Sequence, residues 1–311
     1  MTRAVVFAYH DVGVRCLGAL LDAGVEVPLV ISHRDDPGET IFFGSVAKLA
    51  AARGIECVVP DDPNGPEWIE CVRLLRPDFV FSFYYRRMLS PALLACAARG
   101  AFNMHGSLLP KYRGRAPVNW AVLHGERETG ATLHEMVAKP DGGRIVDQEA
   151  VPIGPDDTAA EVFVRVTAAA EVVLRRALPG LIDGSAVLKA QDLAQGSYFG
   201  GRRPEDGRID WRQSGQAVHN LVRAVAPPYP GAFTTLRGVE LKILKTSLIQ
   251  GKIFPAATPA MLVAPEATHV IAVCADSSAL AVTAMELEGK PFTAAQFLSR
   301  FGPDPITLPV S

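Results

Sequence analysis

The first 190 residues alternate between short apolar segments with strand character and segments with helical spacing. This alternation limits the fold more than any other feature of the chain. The strand-like runs are rich in β-branched and aromatic residues, and they cover residues 4–9, 27–32, 56–60, 78–85 and 100–106. Residues 45–54 lie between two of these runs and have helical spacing. Such a pattern predicts an α/β domain whose parallel sheet is covered by helices on both faces.

Two helix starts can be placed from capping residues. Ser90 precedes a short apolar segment and is expected to cap it. Residues 158–184 form a long amphipathic pattern, in which Thr158 is the expected cap and Glu161, three residues later, completes a capping box.

The pattern changes after a stretch rich in Gly and charged residues at 194–207. One helical segment, 214–228, follows it, and after that come strand-like segments separated by turn residues. We therefore expect two domains: a Rossmann-like domain with a parallel sheet at residues 1–203, and a C-terminal OB-like β-barrel domain at residues 204–311.

Composition excludes several classes of protein. The formal net charge of −2 does not favour non-specific binding to nucleic acid or to an anionic membrane. The first apolar run is too short for a signal peptide, and no uncharged apolar stretch approaches twenty residues, so we expect no membrane insertion. Five scattered cysteines without C-x-x-C spacing favour free thiols in the cytoplasm over a disulfide framework or a zinc knuckle.

The first turn does not have the motif of a dinucleotide-binding protein. That motif needs G-x-G-x-x-G directly after the first strand, whereas this turn offers only Gly13 and Gly18, five residues apart. No P-loop motif is present, and His10, His33, His124 and His134 fall at no metal-ligand spacing. We therefore expect neither NAD(P) binding nor a metal site.

The stretch "FNMHGSLLPKYRGRAP" (102–117) has the residue types that chemistry requires. Asn103 and His105 lie two apart at the end of a strand, so both side chains point to one side. Asp141, in the turn "KPDGG" between two further strand-like segments, could orient the imidazole and favour the imidazolium. Asp before Gly-Gly is also common in an ordinary hairpin turn, and a lone His often belongs to the core.

With "KPDGGRIV" downstream, this stretch resembles the formyltransferases that use 10-formyltetrahydrofolate. Further segments, among them "FSFYYRRML", "GRRPEDGRIDW" and "VRAVAPPYPGAF", resemble one subfamily. That subfamily is the formyltransferase portion of the UDP-4-amino-4-deoxy-L-arabinose pathway protein, which acts in the lipid A modification associated with polymyxin resistance. The resemblance covers most of the chain and weakens after about residue 240.

This resemblance implies a catalytic trio of Asn103, His105 and Asp141, with Asn103 donating to the oxyanion and His105 moving the proton. It also implies folate contacts from Arg87, Met88, Leu89, Arg115 and the stretch Val137, Ala138, Lys139, Pro140 and Asp141. The expected cosubstrate is 10-formyltetrahydrofolate without a metal, and the expected acceptor is the UDP-aminosugar. Extended backbone at 137–141 could form hydrogen bonds with the edge of the pterin ring of the folate. Arg113, beside the site, could bind a diphosphate or a glutamate carboxylate, or simply be solvated.

Three alternatives remain at this point. A methionyl-tRNA formyltransferase would need a basic second domain, but residues 204–311 contain nine Lys and Arg against nine Asp and Glu. A formyltetrahydrofolate hydrolase would use water in place of the amine. A nucleotide-binding module without catalytic activity would not need Asn103, His105 and Asp141. A Ser-His hydrolase based on Ser107 is disfavoured because no G-x-S-x-G motif is present. The related bifunctional protein continues into a decarboxylase, so we expect a free-standing transformylase and leave open its association with a separate UDP-glucuronate decarboxylase.

Overall fold

The computed structural model describes residues 1–35, 37–38, 41–250, 259–263 and 268–309. Contacts divide the chain into two compact units: one contains residues 1–117, 128–152 and 163–200, and the other contains residues 118–127, 153–162 and 201–311. The division into domains after residue 203 stays a prediction.

The elements up to residue 200 follow one another in this order: β1 (Arg3–Ala8), α1 (His10–Asp22), β2 (Glu26–Ile31), α2 (Val46–Ala52), β3 (Glu56–Val58), α3 (Pro66–Leu75), β4 (Phe79–Phe83), α4 (Pro91–Leu94), β5 (Gly100–His105), β6 (Arg113–Gly114), α5 (Pro117–Leu123), β7 (Glu128–Glu135), β8 (Ile145–Pro152), α6 (Ala159–Asp183) and β9 (Tyr198–Phe199). The remaining elements are α7 (Gly215–Val225), β10 (Ala232–Leu236), β11 (Val239–Ile249), β12 (Ala260–Val263), β13 (Val270–Val273), β14 (Ala279–Leu287), β15 (Lys290–Pro291), α8 (Ala294–Phe301) and β16 (Ile306–Thr307).

The first unit is built on a seven-stranded sheet of order β3-β2-β1-β4-β5-β7-β8. The five strands from β3 to β5 are parallel, as predicted. β1 and β4 are buried along almost their whole length, which explains why their sequences are continuously apolar. Beyond β5, the sheet continues with β7 and β8, which run antiparallel to their neighbours.

Local signals predicted helix starts better than helix lengths. Ser90 caps α4 through a 3.3 Å bond from the Leu93 N–H, but this helix ends after four residues. The capping box at the start of α6 is formed as predicted, with the Thr158 N–H donating to Glu161 at 2.8 Å. The helix α3 was missed, although it begins with Pro66 at a position that proline favours.

The second unit contains a curled antiparallel half-barrel of order β10-β11-β14-β13-β12-β16. The predicted strand-like segment 231–249 is in fact a hairpin, because Arg237 and Gly238 both have left-handed backbone and form a two-residue turn. Trp211 is fully buried in the core of this unit, and its indole N–H donates to the Thr234 hydroxyl at 2.9 Å. The predicted strand 258–265 is described only at residues 259–263; its other positions lie outside the described residues.

In the described part of the chain, no helix combines the length and the apolar character that crossing a bilayer requires. The five cysteines are all unpaired, and Cys16 and Cys274 are buried.

The capping box of α6 gives a first prediction. We expect Thr158→Ala to lower the free energy of unfolding by about 1 kcal/mol, because an amide at the helix start loses its acceptor. Thr158→Ser should keep the bond and most of the stability. Urea unfolding of the three proteins would measure this, and equal midpoints for the Ala and wild-type proteins would contradict it.

Candidate active site

Asn103 and His105 lie at the carboxyl end of β5, next to β7. In the register of this antiparallel pair, Asn103 is opposite His134 and His105 is opposite Thr132. Side chains at directly opposite positions share one face of a sheet. The pairing therefore places a second histidine beside the two predicted residues.

Asp141 is brought to the same place by an excursion between β7 and β8. The predicted tight loop of five residues is corrected: β7 ends at Glu135 and β8 begins at Ile145, so nine residues connect them. Asp141 itself has left-handed backbone, with φ at 50°. A β-carbon on Gly143 would lie 1.9 Å from the Glu135 carbonyl oxygen, so this turn requires glycine there. Residues 138–141 form bends and a turn, not the expected extended backbone.

The Asp141 carboxylate joins the cluster. Its Oδ1 is 3.6 Å from Nδ1 of His105 and 3.4 Å from Nε2 of His134, and its Oδ2 accepts a 2.8 Å bond from the Gly114 N–H. Burial alone would raise the pKa of Asp141, but the His105 charge, the His134 contacts and the Gly114 N–H together hold that pKa well below its ordinary range. Asp141 is therefore an anion at neutral pH.

The two rings can be assigned protons from their partners. His105 Nε2 lies 2.8 Å from the Tyr112 carbonyl, which can only accept, so Nε2 carries a proton and Nδ1 faces Asp141. A proton gained at Nδ1 would make an imidazolium directly beside the carboxylate. His134 Nδ1 likewise donates to the Glu135 carbonyl at 2.9 Å. In the neutral ring its Nε2 is then an acceptor for the Asn103 amide, 3.2 Å away.

The structure therefore brings the three predicted residues together and adds His134, which sequence reasoning dismissed when it tested for metal-ligand spacing. The alternation of Thr132 and His134 along one strand places both side chains on the same face. Only the register with β5 shows that this face is the one that carries Asn103 and His105. No group of three or more metal-ligating side chains occurs among the residues that the structure describes.

The loop after β5 is fixed by buried hydrogen bonds. The Ser107 hydroxyl donates to the Lys111 carbonyl at 2.7 Å, so its proton is engaged in holding the loop. Thr132 donates to the Ser107 carbonyl at 2.6 Å and accepts from the Leu109 N–H at 3.2 Å. These bonds carry the chain from His105 to the Gly114 N–H that binds Asp141.

Tyr84, directly after β4, lies beside the loop that follows His105. Its backbone is left-handed, with φ at 58°. A β-carbon on Gly106 would lie 2.2 Å from the Tyr84 hydroxyl oxygen, so the tyrosine lies against the backbone that follows His105. Tyr85, by contrast, is buried and stacks on His33.

The remaining residues predicted to contact the folate lie mostly at the surface. Arg87, Met88, Arg115 and 137–139 are exposed, whereas Leu89 is buried. Arg113 is only 9% exposed, and its Nε has no hydrogen-bond partner among the described residues. A buried guanidinium with an unused donor is an expected place for an anionic group of a ligand.

A family model described as formyl transferase matches residues 10–178, and a second, described as the formyl transferase C-terminal domain, matches residues 202–302. Among solved structures, the chain is similar to the N-formyltransferase from Helicobacter canadensis in complex with folinic acid and dTDP-3-aminofucose. The TM-score is 0.72 at 21% identity, over 91% of this chain and 99% of that one.

Two further solved structures have the same fold over different lengths. WlaRD, a sugar 3N-formyl transferase, matches with a TM-score of 0.72 at 21% identity, over 91% of this chain and 97% of that one. Glycinamide ribonucleotide transformylase 1 from Symbiobacterium toebii matches with a TM-score of 0.54 at 25% identity, over 62% of this chain and 95% of that one.

Gly114 allows a test of the link between the loop and the carboxylate. Its φ is 98°, and a β-carbon there would lie 2.1 Å from the Phe199 carbonyl oxygen. We expect Gly114→Ala to separate β6 from β9, move the N–H away from Asp141 and lower the free energy of unfolding by about 2 kcal/mol or more. Gly200→Ala, where a β-carbon meets nothing within 4 Å, is the control. Similar urea midpoints for the two variants would refute this account.

The lowered pKa of Asp141 predicts a pH dependence of stability. A carboxyl whose pKa is lower in the folded protein stabilises it above the ordinary carboxyl pKa, and this contribution is lost as the pH falls towards the folded value. We expect Asp141→Asn to cost about 2 kcal/mol at pH 7, with the difference from wild type shrinking progressively below about pH 5. Urea unfolding across this range would measure it, and a difference independent of pH would show that charge is not the cause.

Proposed function

The chain belongs to the formyl transferase family, and from this membership we propose that it transfers the formyl group of 10-formyltetrahydrofolate to the 4-amino group of UDP-4-amino-4-deoxy-L-arabinose. The observation that carries the proposal is the cluster in which Asn103, His105 and His134 surround the Asp141 carboxylate. The resemblance to the aminoarabinose subfamily supports the choice of sugar. So does the fact that two proteins with this fold are sugar N-formyltransferases, one of them in complex with a nucleotide aminosugar.

The cluster can perform the steps of acyl transfer between nitrogens. The sugar amine attacks the formyl carbon, the new C–N bond forms, and an oxyanion develops. Asn103 Nδ2 has two N–H groups; when His134 is neutral, one is taken by His134 Nε2, and the other is available to the oxyanion. A donor in such a position is worth about 2.7–4 kcal/mol of barrier. As the tetrahedral species collapses, the bond to N10 of the folate breaks and the formamide is left on the sugar.

The proton must travel from the attacking amine to the leaving N10. His105 Nδ1 is the atom that can take it, since Nε2 already donates to the Tyr112 carbonyl. Asp141 stabilises the resulting imidazolium and stays ionised itself. No nucleophilic side chain is required, which agrees with the Ser107 hydroxyl being bonded to its own loop.

We further propose that the folate contacts Arg87, Met88, Leu89, Arg115 and residues 137–141. Exposure of most of these side chains supports this, because a cosubstrate that binds and leaves needs an open surface. Arg115 has no side-chain partner among the described residues, so its guanidinium is available to a carboxylate. Association with a separate UDP-glucuronate decarboxylase stays a prediction from the resemblance.

The acceptor is tested with radiolabelled 10-formyltetrahydrofolate and three candidates: UDP-4-amino-4-deoxy-L-arabinose, charged initiator tRNA and water. The proposal expects label in the aminosugar. Label in the tRNA alone would overturn the choice of substrate, and formate release that does not depend on an acceptor would identify a hydrolase. The balanced charge of residues 204–311 favours the sugar over the polyanion.

Replacing His105 tests the chemistry separately from the substrate. We expect His105→Asn to lower kcat by 10²- to 10⁴-fold, because the proton has no carrier, while the KM values for both substrates change little. Asn103→Ala should lower kcat by about 10²- to 10³-fold through loss of the oxyanion donor. His269→Asn, a histidine distant in sequence and outside the cluster, is the matched control. Steady-state kinetics would measure all three, and a fully active His105→Asn protein would refute the mechanism.

A further inference from the structure

A cavity of about 210 Å³ lies beyond the carboxyl ends of β1 and β2, apart from the catalytic cluster. Tyr9 directly follows β1, and Ser32 and His33 directly follow β2. Asp35 and Phe43 also line the cavity. Pockets for drug-sized molecules measure about 300–1,000 Å³, so this one suits a smaller fragment such as a nucleoside.

Three aromatic side chains contribute to the wall, and the Arg86 guanidinium lies over the Tyr9 ring, 4.7 Å from its centroid. The Tyr9 ring meets His33 edge-on at 5.4 Å and Phe43 at 5.1 Å. His33 Nε2 accepts the Arg86 N–H at 2.8 Å, and burial together with the neighbouring cations Arg86 and Arg87 lowers the pKa of His33 to about 4. The ring is therefore neutral at physiological pH, and the wall is suited to a flat heteroaromatic base.

Opposite charges lie side by side at the rim. The Tyr9 hydroxyl donates to Asp35 Oδ1 at 2.8 Å and fixes that carboxylate at the cavity. A carboxylate only accepts hydrogen bonds, so it selects hydroxyl or N–H donors and repels phosphate. Arg34 also lines the cavity and provides the guanidinium that a phosphate would need. A ribose and its 5′-phosphate present these two requirements together.

The position of the cavity in the sheet also favours a nucleotide as its ligand. In dinucleotide-binding Rossmann domains a carboxylate beyond the glycine-rich turn binds the ribose 2′-hydroxyl, and in open α/β sheets generally ligands lie where the strand order reverses. Here the order β2-β1-β4-β5 reverses between β1 and β4. His105 on β5 is three strand spacings from β2, or about 14 Å. A diphosphate and a sugar ring would span this distance from the cavity to the reacting amine.

We propose that this cavity binds the nucleoside of the acceptor and that Asp35 accepts hydrogen bonds from the ribose 2′- and 3′-hydroxyls. The inference rests on the proposed function, in which the acceptor is a nucleotide sugar. It assigns to Asp35 the selection of ribonucleotides over 2′-deoxyribonucleotides, since only the former present the 2′-hydroxyl to the carboxylate.

Binding of UMP and 2′-deoxy-UMP to the full chain, measured by isothermal titration calorimetry, tests the proposal. Wild type is expected to bind UMP at least tenfold more tightly than 2′-deoxy-UMP. Asp35→Ala should weaken UMP binding tenfold or more and remove the preference, and Tyr9→Phe, which frees the carboxylate, should weaken it less. Asp61→Asn, an exposed aspartate outside the cavity, is the matched control, and thermal melting would show that each variant is folded.

Other outcomes overturn the inference. Absence of UMP binding to wild type, or unchanged binding to a folded Asp35→Ala variant, would do so. Displacement of UMP by folinic acid, with weaker folinic acid binding to Asp35→Ala, would assign the cavity to the folate instead. Failure of the proposed function is distinguishable: ribose-selective UMP binding without formylation of the aminosugar would support the nucleoside cavity and refute the acceptor.

Discussion

The Asp141 carboxylate is the interaction on which the candidate site depends. One of its oxygens faces both histidine rings, and the other accepts the Gly114 N–H. A buried anion is costly unless charge and hydrogen bonds compensate it, so the carboxylate can lie there only if β5, β7 and the loop after β5 all hold their partners in place. The same charge lies 3.6 Å from Nδ1 of His105. In the proposed mechanism, folding of this region and proton transfer thus depend on one interaction.

His134 links this anion to the amide. Because its Nδ1 donates to a carbonyl, the neutral ring has an acceptor at Nε2, which takes one N–H of Asn103 and so orients the amide. A protonated ring would instead direct an N–H to the carboxylate and leave the amide without its acceptor. The orientation of Asn103, the oxyanion donor in the proposed mechanism, is therefore coupled to the charge of a second histidine.

The sequence predicted what local pattern determines and failed where register decides. The parallel strands, the Ser90 and Thr158 caps and the pairing of Asn103 with His105 on one face all follow from periodicity and residue type. For Asp141 the sequence left two interpretations open, a site residue or an ordinary hairpin turn. Nothing in the local sequence shows where a turn lies relative to another strand. His134 was missed for the same reason: its role exists only through the antiparallel register of β7 against β5.

Three residues with strained backbone lie along the same edge of the sheet as the candidate site. His10, Tyr84 and Asp141 are among the non-glycine residues with left-handed backbone. His10 lies two residues after β1 and Tyr84 directly follows β4, the strands between which the order reverses, and Asp141 carries the central carboxylate. Such conformations cost about 1–3 kcal/mol each and persist where the surrounding structure over-determines them. Tyr84 connects the two ends of this edge, since its ring lies 6.2 Å from that of His10 and its hydroxyl lies against Gly106. A rigid edge that runs from the reversal point to His105 is what a ligand with a reacting amine at one end and a recognised group at the other would require.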